Sequence, residues 1–392
     1  MGRSASVGGM PRLLYLLALC NLVIGTGAFI PAGILVPISQ SLQVSVAAAG
    51  QVMTAYAIAT AVLAPLMLVL TGAWPRRTAL LFGMTVFGLG NLVCALAEGL
   101  PLLLAGRVLM GVGALFTPVA AGIAVALVEP ARRGRALSLV FLGMSLSYVV
   151  GLPLGAWLGF RYGWQVPVAM IAGASLLATA LLAALLPRDI ASPGASLEGL
   201  PQLLALPAVA WTLALTLLYF IAIFLVFAYI GPVLQALNPM SSERMSVTLM
   251  VFGLAGVGGT LMGGWANDRF GPQRSLSAQL VVLAAMMALV PLTQGHYALM
   301  LLVFVVWGLA GFGMMTPQQS RLAGIAPQQA PLLLSLNASM LYVGTALGAA
   351  IGGAAVGSLG FAHMAWLGVP FALAGLCTLW VAERGRARVQ AA

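Results

Sequence analysis

Apolar residues in this chain fall into twelve long runs, separated by short segments that are polar or contain glycine and proline. A transmembrane α-helix needs about 20 mostly apolar residues, and the runs have about that length. The runs cover approximately residues 13–36, 49–70, 78–97, 102–128, 136–159, 165–187, 208–234, 247–265, 275–292, 298–317, 331–356 and 365–382. The pattern predicts an all-α polytopic membrane protein with twelve transmembrane helices.

The longest polar interruption runs from Arg188 to Pro207, between the sixth and seventh apolar runs. It contains Ser192-Pro193-Gly194, a combination that is typical of loops and linkers. We therefore predict two six-helix bundles related by a pseudo-two-fold axis, residues 1–187 and 208–392, with a cytoplasmic linker over residues 188–207.

Composition excludes a soluble protein, because 62% of the residues are hydrophobic and only 6% are charged. The first apolar run, roughly Leu13 to Val36, is too long for a cleavable signal peptide and lacks a small-residue cleavage site. Cys20, Cys94 and Cys377 all lie in apolar runs, so we expect neither a disulfide framework nor a metal cluster.

All the basic charge comes from arginine, since the chain contains no lysine, and the net charge is +10. If the N-terminus is cytoplasmic, fourteen arginines lie on the cytoplasmic side, and only Arg161 and Arg244 lie on the other side. This asymmetry follows the positive-inside rule and predicts that both termini are cytoplasmic. The arginines then have a topological role, and we expect no nucleic-acid partner.

The two halves resemble each other when residues 196 positions apart are paired. The loop TGAWPRR (71–77) then aligns with the loop GGWANDRFGPQR (263–274). Under nearly the same offset, glycines of the fifth run pair with glycines of the eleventh. These are Gly151, Gly155 and Gly159 in the fifth run, which also contains Gly143, and Gly344, Gly348 and Gly352 in the eleventh. Glycines four residues apart let membrane helices pack closely, so we predict a duplicated six-helix unit.

These motifs resemble those of the major facilitator superfamily of transporters, over nearly the whole chain. GGWANDRFGPQR is similar to the family's cytoplasmic loop signature. The matching residues are Gly264, Asp268, Arg269, Gly271 and Arg274. In the first half only Arg76 and Arg77 of the corresponding loop remain, because TGAWPRR lacks the acidic residue and the second glycine. The resemblance implies a cytoplasmic gate formed by these residues.

Two further stretches carry the resemblance. GRVLMGVGA (106–114) resembles the fourth-helix signature, in which Arg107 precedes Gly111 by four residues. GMSLSYVVGLPLG (143–155) is similar to the glycine–proline pattern of the fifth helix that is associated with antiporters, and it includes Pro153. The stretches Ser45 to Leu66 and Leu336 to Gly353 resemble the drug, sugar and purine efflux branch. That branch implies export of small organic molecules from a bacterial cell, usually against protons.

One departure concerns proton coupling. Several relatives carry a glutamate in the first helix, where this chain has Ala28. All seven acidic residues are predicted to lie in loops or at span ends. Coupling then uses Asp268 or another span-end carboxylate, or the substrate carries the charge, or the protein is an uncoupled facilitator.

Arg107 is the one charged residue that we place well inside an apolar run. One interpretation is structural, with the guanidinium satisfied by carbonyls such as that of Val149, which Pro153 frees, and by Asn21, Asn91 or Tyr148. The other interpretation is a substrate or coupling site. Both stay open at this stage.

Helix phase identifies the remaining candidates for substrate binding or coupling. They are Asn21, Tyr148, Trp307 and Asn337. Phe220, Phe224 and Phe227 form an aromatic stripe that we expect to face lipid. For Asp268 and Arg269, a cytoplasmic latch is preferred over solvated loop charges.

The absence of intramembrane histidine and carboxylate argues against an enzyme, a metal site or a cofactor. A carrier is preferred over a channel because of the duplicated halves. A membrane sensor is the third class. We expect a small-molecule substrate, a lipid bilayer environment and a monomer. A cavity with few ionisable groups favours neutral or lipophilic compounds such as amphenicols, nucleosides or sugars.

Overall fold

The computed structural model describes residues 12–129, 132–187, 205–326 and 330–391. Most of the predicted linker, residues 188–204, lies outside the described residues, so the division into two bundles at that point stays a prediction. The described residues are helical and connected by short turns, which confirms the all-α prediction.

The described part of the first half contains eight helices. They are α1 (Arg12–Leu42), α2 (Val46–Leu70), α3 (Arg76–Ala95), α4 (Leu100–Gly113), α5 (Phe116–Ala126), α6 (Arg133–Leu146), α7 (Leu152–Tyr162) and α8 (Gln165–Leu185). The fourth span is α4 followed by α5. The fifth span is α6 and α7, joined by a single π turn, Ser147–Gly151.

The described part of the second half also contains eight helices. They are α9 (Pro207–Phe227), α10 (Ile230–Leu237), α11 (Ser242–Phe270), α12 (Pro272–Leu289), α13 (Tyr297–Gly313), α14 (Met315–Ile325), α15 (Ala330–His363) and α16 (Gly368–Ala391). The seventh span is α9 with α10, and the tenth is α13 with α14. Among the residues that the structure describes, eleven stretches are long and apolar enough to cross a membrane. The last of them, Leu332–Ala382, is broken by the 3₁₀ turn Met364–Leu367 into two crossings, which gives twelve spans.

Helix breaks recur at equivalent places in the two halves. Ile34 in α1 leaves the helical region with φ −120° and ψ 20°. Tyr229, 195 positions later, separates α9 from α10 with φ −117° and ψ 24°. The fourth and tenth spans are likewise each broken near the middle, after Gly113 and after Gly313. The duplication seen in the loops therefore extends to the backbone geometry.

Glycines of the fifth and eleventh spans pack against the first helix of their own half. A Cβ added to Gly143 would collide with the carbonyl of Ala18, and the next three glycines of that ladder meet Thr26, Ile30 and Ile34. In the second half, a Cβ on any of three eleventh-span glycines would lie 2.7 Å from a carbonyl oxygen of α9. The pairs are Gly344 with Leu217, Gly348 with Ile221, and Gly352 with Leu225. Only glycine permits this backbone-to-backbone distance.

The two ends of the bundle differ in charge. The arginine-rich end carries the α2–α3 and α11–α12 turns, with Arg76 and Arg274, and the arginine-poor end carries the α7–α8 turn, with Arg161. The halves contact each other from the middle of the bundle towards the arginine-poor end. Between the described parts of the halves, every side-chain hydrogen bond and ring contact lies in this region.

One aromatic side chain fills the junction on the arginine-poor side. Tyr229 is 1% exposed, and its hydroxyl donates to the carbonyl of Ala349 at 3.1 Å. Its ring occupies a slot between Gly50 of α2 and Gly353 of α15, and a Cβ on either glycine would collide with it. Tyr229 therefore packs against both halves, and it fits there only because neither Gly50 nor Gly353 has a side chain.

Candidate functional site

Arg107 in α4 is 2% exposed and uses its guanidinium to bind three backbone carbonyls. Its Nε donates to Val52 at 2.9 Å, its Nη1 to Gly27 at 2.8 Å, and its Nη2 to Ala28 at 2.8 Å. The charge also lies 4.6 Å above the ring of Tyr56. A buried arginine is tolerated in lipid when it is paired in this way. Arg107 therefore ties α4 to α1 and α2.

Pro31 explains why one of these acceptors is free. Proline has no N–H, so the carbonyl four residues earlier, that of Gly27, loses its helical hydrogen bond. Arg107 donates to this carbonyl. The partner suggested from the sequence, Val149, was wrong, because the acceptors lie in α1 and α2 and not in the fifth span.

The space beside the guanidinium is too small for a substrate. A void of about 10 Å³ lies between Arg107, Gly27, Pro31 and Trp164. A void of this size holds at most about one water molecule. In this conformation the geometry favours the structural interpretation of Arg107.

Pro153 lies at a different irregularity, where the fifth span meets the other half. The π turn precedes α7, and α11 packs closely against it. A Cβ on Gly253 would collide with the carbonyl of Tyr148, and Ser246 donates to the carbonyl of Pro153 at 2.9 Å. The glycine–proline segment is thus a contact point between the halves.

Asn21 joins three spans of the first half. It is fully buried, its Oδ1 accepts from Thr117 of α5 at 2.8 Å, and its Nδ2 donates to the carbonyl of Val140 of α6 at 3.1 Å. Both ends of the amide are therefore used. We call this arrangement the first polar tie.

A second polar tie joins the equivalent three spans of the second half. Gln318 of α14 donates from Nε2 to the carbonyl of Thr212 at 2.6 Å and to the hydroxyl of Thr216 at 2.7 Å. That hydroxyl donates to Oδ1 of Asn337 in α15 at 2.5 Å. Asn21 and Thr216 each lie nine residues after the start of the first helix of their half, so the two ties have the same depth.

Aromatic rings fill the space between the halves. The ring of Tyr148 stacks on Phe29 with centroids 4.9 Å apart and meets Phe312 of the other half edge-on at 5.0 Å. Trp307 is 2% exposed, and its ring centroid lies 5.1 Å from that of Phe252. Its Nε1 has no hydrogen-bond partner among the described residues. Of the candidates identified by helix phase, Tyr148 and Trp307 thus lie in this aromatic layer, and Asn21 and Asn337 lie in the polar ties.

The expectation that Phe220, Phe224 and Phe227 face lipid is wrong. They are 9%, 5% and 1% exposed. The rings of Phe224 and Phe227 both pack against Phe29 of the other half, with ring centroids 6.2 and 5.9 Å apart. Helix phase identifies an apolar face, but lipid and the partner half are both apolar, so the pattern alone could not distinguish them.

The predicted gate residues occupy the arginine-rich end of both halves. Arg76 is buried and donates to the carbonyl of Gly72 at 2.8 Å, and Arg77 donates to the carbonyl of Ala183 in α8. Both arginines thus bind carbonyls of their own half.

In the second half the corresponding charges are exposed. Asp268 accepts from its neighbour Asn267 at 3.2 Å, and within the described ranges it forms no ion pair with Arg269 or Arg274. Gly271 ends α11 with φ +80°, a conformation that favours glycine. An added Cβ on Gly264 or Gly271 would meet open space, whereas one on Gly111 would collide with Ala59 of α2.

The described interior holds no carboxylate. Glu98, Glu129, Glu243 and Asp268 are all exposed. Within the described ranges, no three histidine, cysteine or acidic side chains come together as metal ligands. The described groups beside Arg107 and between the halves are neutral amides, hydroxyls and aromatic rings.

Comparison with known sequences gives a consistent result. The family model described as Major Facilitator Superfamily matches residues 17–329 and 245–391. The chain is 32% identical to the inner membrane transport protein YdhP of Escherichia coli (strain K12) over 371 residues, which cover 94% of each chain. It is 27% identical to a probable sugar efflux transporter of Pasteurella multocida over 363 residues, 92% of this chain and 89% of that one.

Solved structures show the same fold. A bacterial homolog of the human lysosomal transporter Spinster, in an inward-facing and occupied conformation, superposes with a TM-score of 0.81 at 14% identity, covering 95% of this chain and 96% of that one. A mutant of the nucleoside transporter NupG gives a TM-score of 0.78 at 12% identity, covering 94% and 98%. The twelve-helix prediction and the resemblance found in the sequence are both confirmed.

The contact between Arg107 and the carbonyl that Pro31 frees can be tested by a double-mutant cycle. Arg107→Met leaves that carbonyl unpaired, and we expect it to lower the free energy of unfolding by about 3 kcal/mol. Pro31→Ala restores an N–H, so the same arginine change should cost about 1–2 kcal/mol less in the Pro31→Ala background. Reversible unfolding in detergent measures both. Pro37→Ala, at the other proline of α1, is the matched control. Additive effects of the first pair would contradict this assignment.

Proposed function

Because this chain belongs to the Major Facilitator Superfamily, we propose that it exports small, neutral or lipophilic organic molecules across the cytoplasmic membrane by alternating access. As a member of this family it is a transporter and not an enzyme, and it is a multi-pass inner-membrane protein. Export, the substrate class, proton antiport and a monomeric state are our proposals. The relative named as a probable sugar efflux transporter supports the direction.

The observation that carries this proposal is the junction between the halves. Aromatic rings form most of it, and among the described residues one side-chain hydrogen bond, from Ser246 to Pro153, crosses it. Exchanging one ring contact for another costs at most about 0.5–1.5 kcal/mol, whereas each broken buried hydrogen bond leaves an unpaired polar group at about 1–3 kcal/mol. Residues 1–187 and 208–392 can therefore rock against each other as two bodies, as alternating access requires.

The conformation supports the direction of access. The halves touch on the arginine-poor side, where Tyr229 fills its glycine slot. If the arginine-rich end is cytoplasmic, as the positive-inside rule predicts, this state is closed to the outside. The inward-facing state of the Spinster homolog, which has the same fold, agrees with this interpretation.

Proton coupling is the less constrained part of the proposal. Since the described interior holds no carboxylate, we place the proton-binding site at a span end, with Asp268 as the first candidate. An uncoupled facilitator is the second candidate function, favoured by that same absence. Arg107 cannot exchange a proton, because a guanidinium stays protonated.

Flux through purified protein in liposomes tests export and coupling together. Uridine, lactose and chloramphenicol are the probes, and a pH-sensitive dye is enclosed in the vesicles. We expect saturable uptake and trans-stimulation for at least one probe, with opposing proton movement. Flux that rises linearly with concentration for every probe would indicate a channel and contradict the proposal. Saturable flux without proton movement would retain the carrier and select the facilitator.

We further propose that Asp268 stabilises the state closed at the arginine-rich end, where it would bind Arg269 or a helix N-terminus. Asp268→Asn keeps the shape and removes about 1–2 kcal/mol of that contact, which should shift the equilibrium roughly 5- to 30-fold towards the open state. Spin labels at the exposed residues Thr78 and Gln273, one on each half, report the distance across this end. Glu129→Gln, an exposed acid at the same end, is the control. An unchanged distance distribution in Asp268→Asn would rule out the latch.

A further inference from the structure

The two polar ties occupy equivalent positions, but only the first is complete. Asn21 uses its oxygen and its nitrogen, and both partners lie within the same half. In the second tie, Oε1 of Gln318 is buried and has no hydrogen-bond partner among the described residues. A buried amide oxygen without a partner costs about 1–3 kcal/mol, so its retention needs an explanation.

The orientation of the Gln318 amide follows from its neighbours. The atom that faces the carbonyl of Thr212 must be the nitrogen, because a carbonyl only accepts hydrogen bonds. The free atom is therefore the oxygen, which is an acceptor. Since Gln318 also donates to Thr216, that hydroxyl has its hydrogen left for Oδ1 of Asn337. Nδ2 of Asn337 is thus a donor with no partner among the described residues.

A third polar group with spare capacity lies one helical turn away. Tyr219 follows Thr216 by three residues, is 1% exposed, and has only the sulfur of Met315 near its hydroxyl, at 3.6 Å. A thioether sulfur is a weak acceptor. In the first half, the residue three positions after Asn21 is the apolar Ile24. The first tie is therefore sealed by an aliphatic side chain, and the second is bordered by a hydroxyl.

We infer that the second polar tie is the polar half of the substrate site, and that it recognises a hydroxyl group of a neutral, hydroxylated substrate. A hydroxyl donates one hydrogen bond and accepts another, which matches the free oxygen of Gln318 and the free N–H of Asn337. The hydroxyl of Tyr219 can bind a second such group. The aromatic layer supplies an apolar surface for the rest of the molecule. This inference rests on the proposed export function and names its substrate class.

The free oxygen of Gln318 lies close to a break in the tenth span that can act as a hinge. Gln318 lies four residues after Met314, where the tenth span is broken between α13 and α14. A change of angle at this break moves α14 against α9 and uncovers the amide. The movement that opens the central cavity to one side of the membrane then also opens the substrate site.

Transport of three probes through purified protein in liposomes tests this subsite. Uridine and D-xylose carry hydroxyls, and tetraphenylphosphonium carries no hydrogen-bonding group. The variants are Gln318→Met, which keeps the side-chain length, and Tyr219→Phe, which removes one oxygen and leaves the fold least disturbed. Thr117→Val breaks the first tie and is the matched control. We expect the KM of a hydroxylated probe to rise about tenfold in both variants, with kcat nearly constant and the KM of tetraphenylphosphonium unchanged. The control should lower thermal stability without this selective change in KM.

The outcomes separate the subsite from the proposed function. Saturable transport of tetraphenylphosphonium but of neither hydroxylated probe would overturn the subsite and leave the carrier. An equal KM change for all three probes would make the second tie purely structural, like the first. Saturable transport of none of the probes by the unmodified protein would overturn the proposed function and the subsite with it.

Discussion

A hydrocarbon environment provides no water for a backbone carbonyl that lacks its helical partner, and the centre of this protein is arranged around that constraint. Pro31 leaves the carbonyl of Gly27 free in the middle of α1. Arg107 carries a charge that is equally costly in lipid. Each satisfies the other, and further bonds to Ala28 and Val52 fix the fourth span against the first two. Two groups that are separately unfavourable thus form the most directional contact in the first half.

At the depth of the two polar ties, the second half meets the same constraint with neutral groups. No arginine lies at the middle of its described spans, and Thr216, Gln318 and Asn337 connect the equivalent helices. Because amides and hydroxyls can exchange partners, the second tie keeps hydrogen-bonding capacity that the first tie has used. The duplicated architecture therefore combines a rigid half with a half suited to recognising a ligand. Between them lies an aromatic layer with little directional bonding. This division of roles suits a carrier whose halves move as bodies.

Much of the fold follows from the sequence, because the membrane imposes a simple length and polarity rule. The twelve spans, the duplication and the family were all evident from apolar runs, loop motifs and glycine spacing. What the sequence could not supply was the identity of neighbours. A proline frees the carbonyl four residues earlier, and the sequence contains this pattern at both Pro153 and Pro31. Only the fold shows that Arg107 binds the carbonyl freed by Pro31. The stripe of Phe220, Phe224 and Phe227 was assigned to lipid because lipid and a partner half are equally apolar. The link between Thr216 and Asn337 joins residues 121 positions apart, and no local pattern encodes it.

The most direct test of the account is whether the two ends of the bundle open in opposition. Spin labels at Gln40 and Gln294 span the arginine-poor end, and labels at Thr78 and Gln273 span the arginine-rich end; all four positions are exposed. Gly50→Leu fills the slot that holds Tyr229 and should disfavour closure at the arginine-poor end. Double electron–electron resonance measures both label distances in the unmodified chain and in the Gly50→Leu variant. In the variant, the distance across the arginine-poor end should lengthen while the distance across the arginine-rich end shortens. If the arginine-poor end opens while the distance across the arginine-rich end stays the same, or if both distances lengthen, the two ends do not alternate and the account is contradicted.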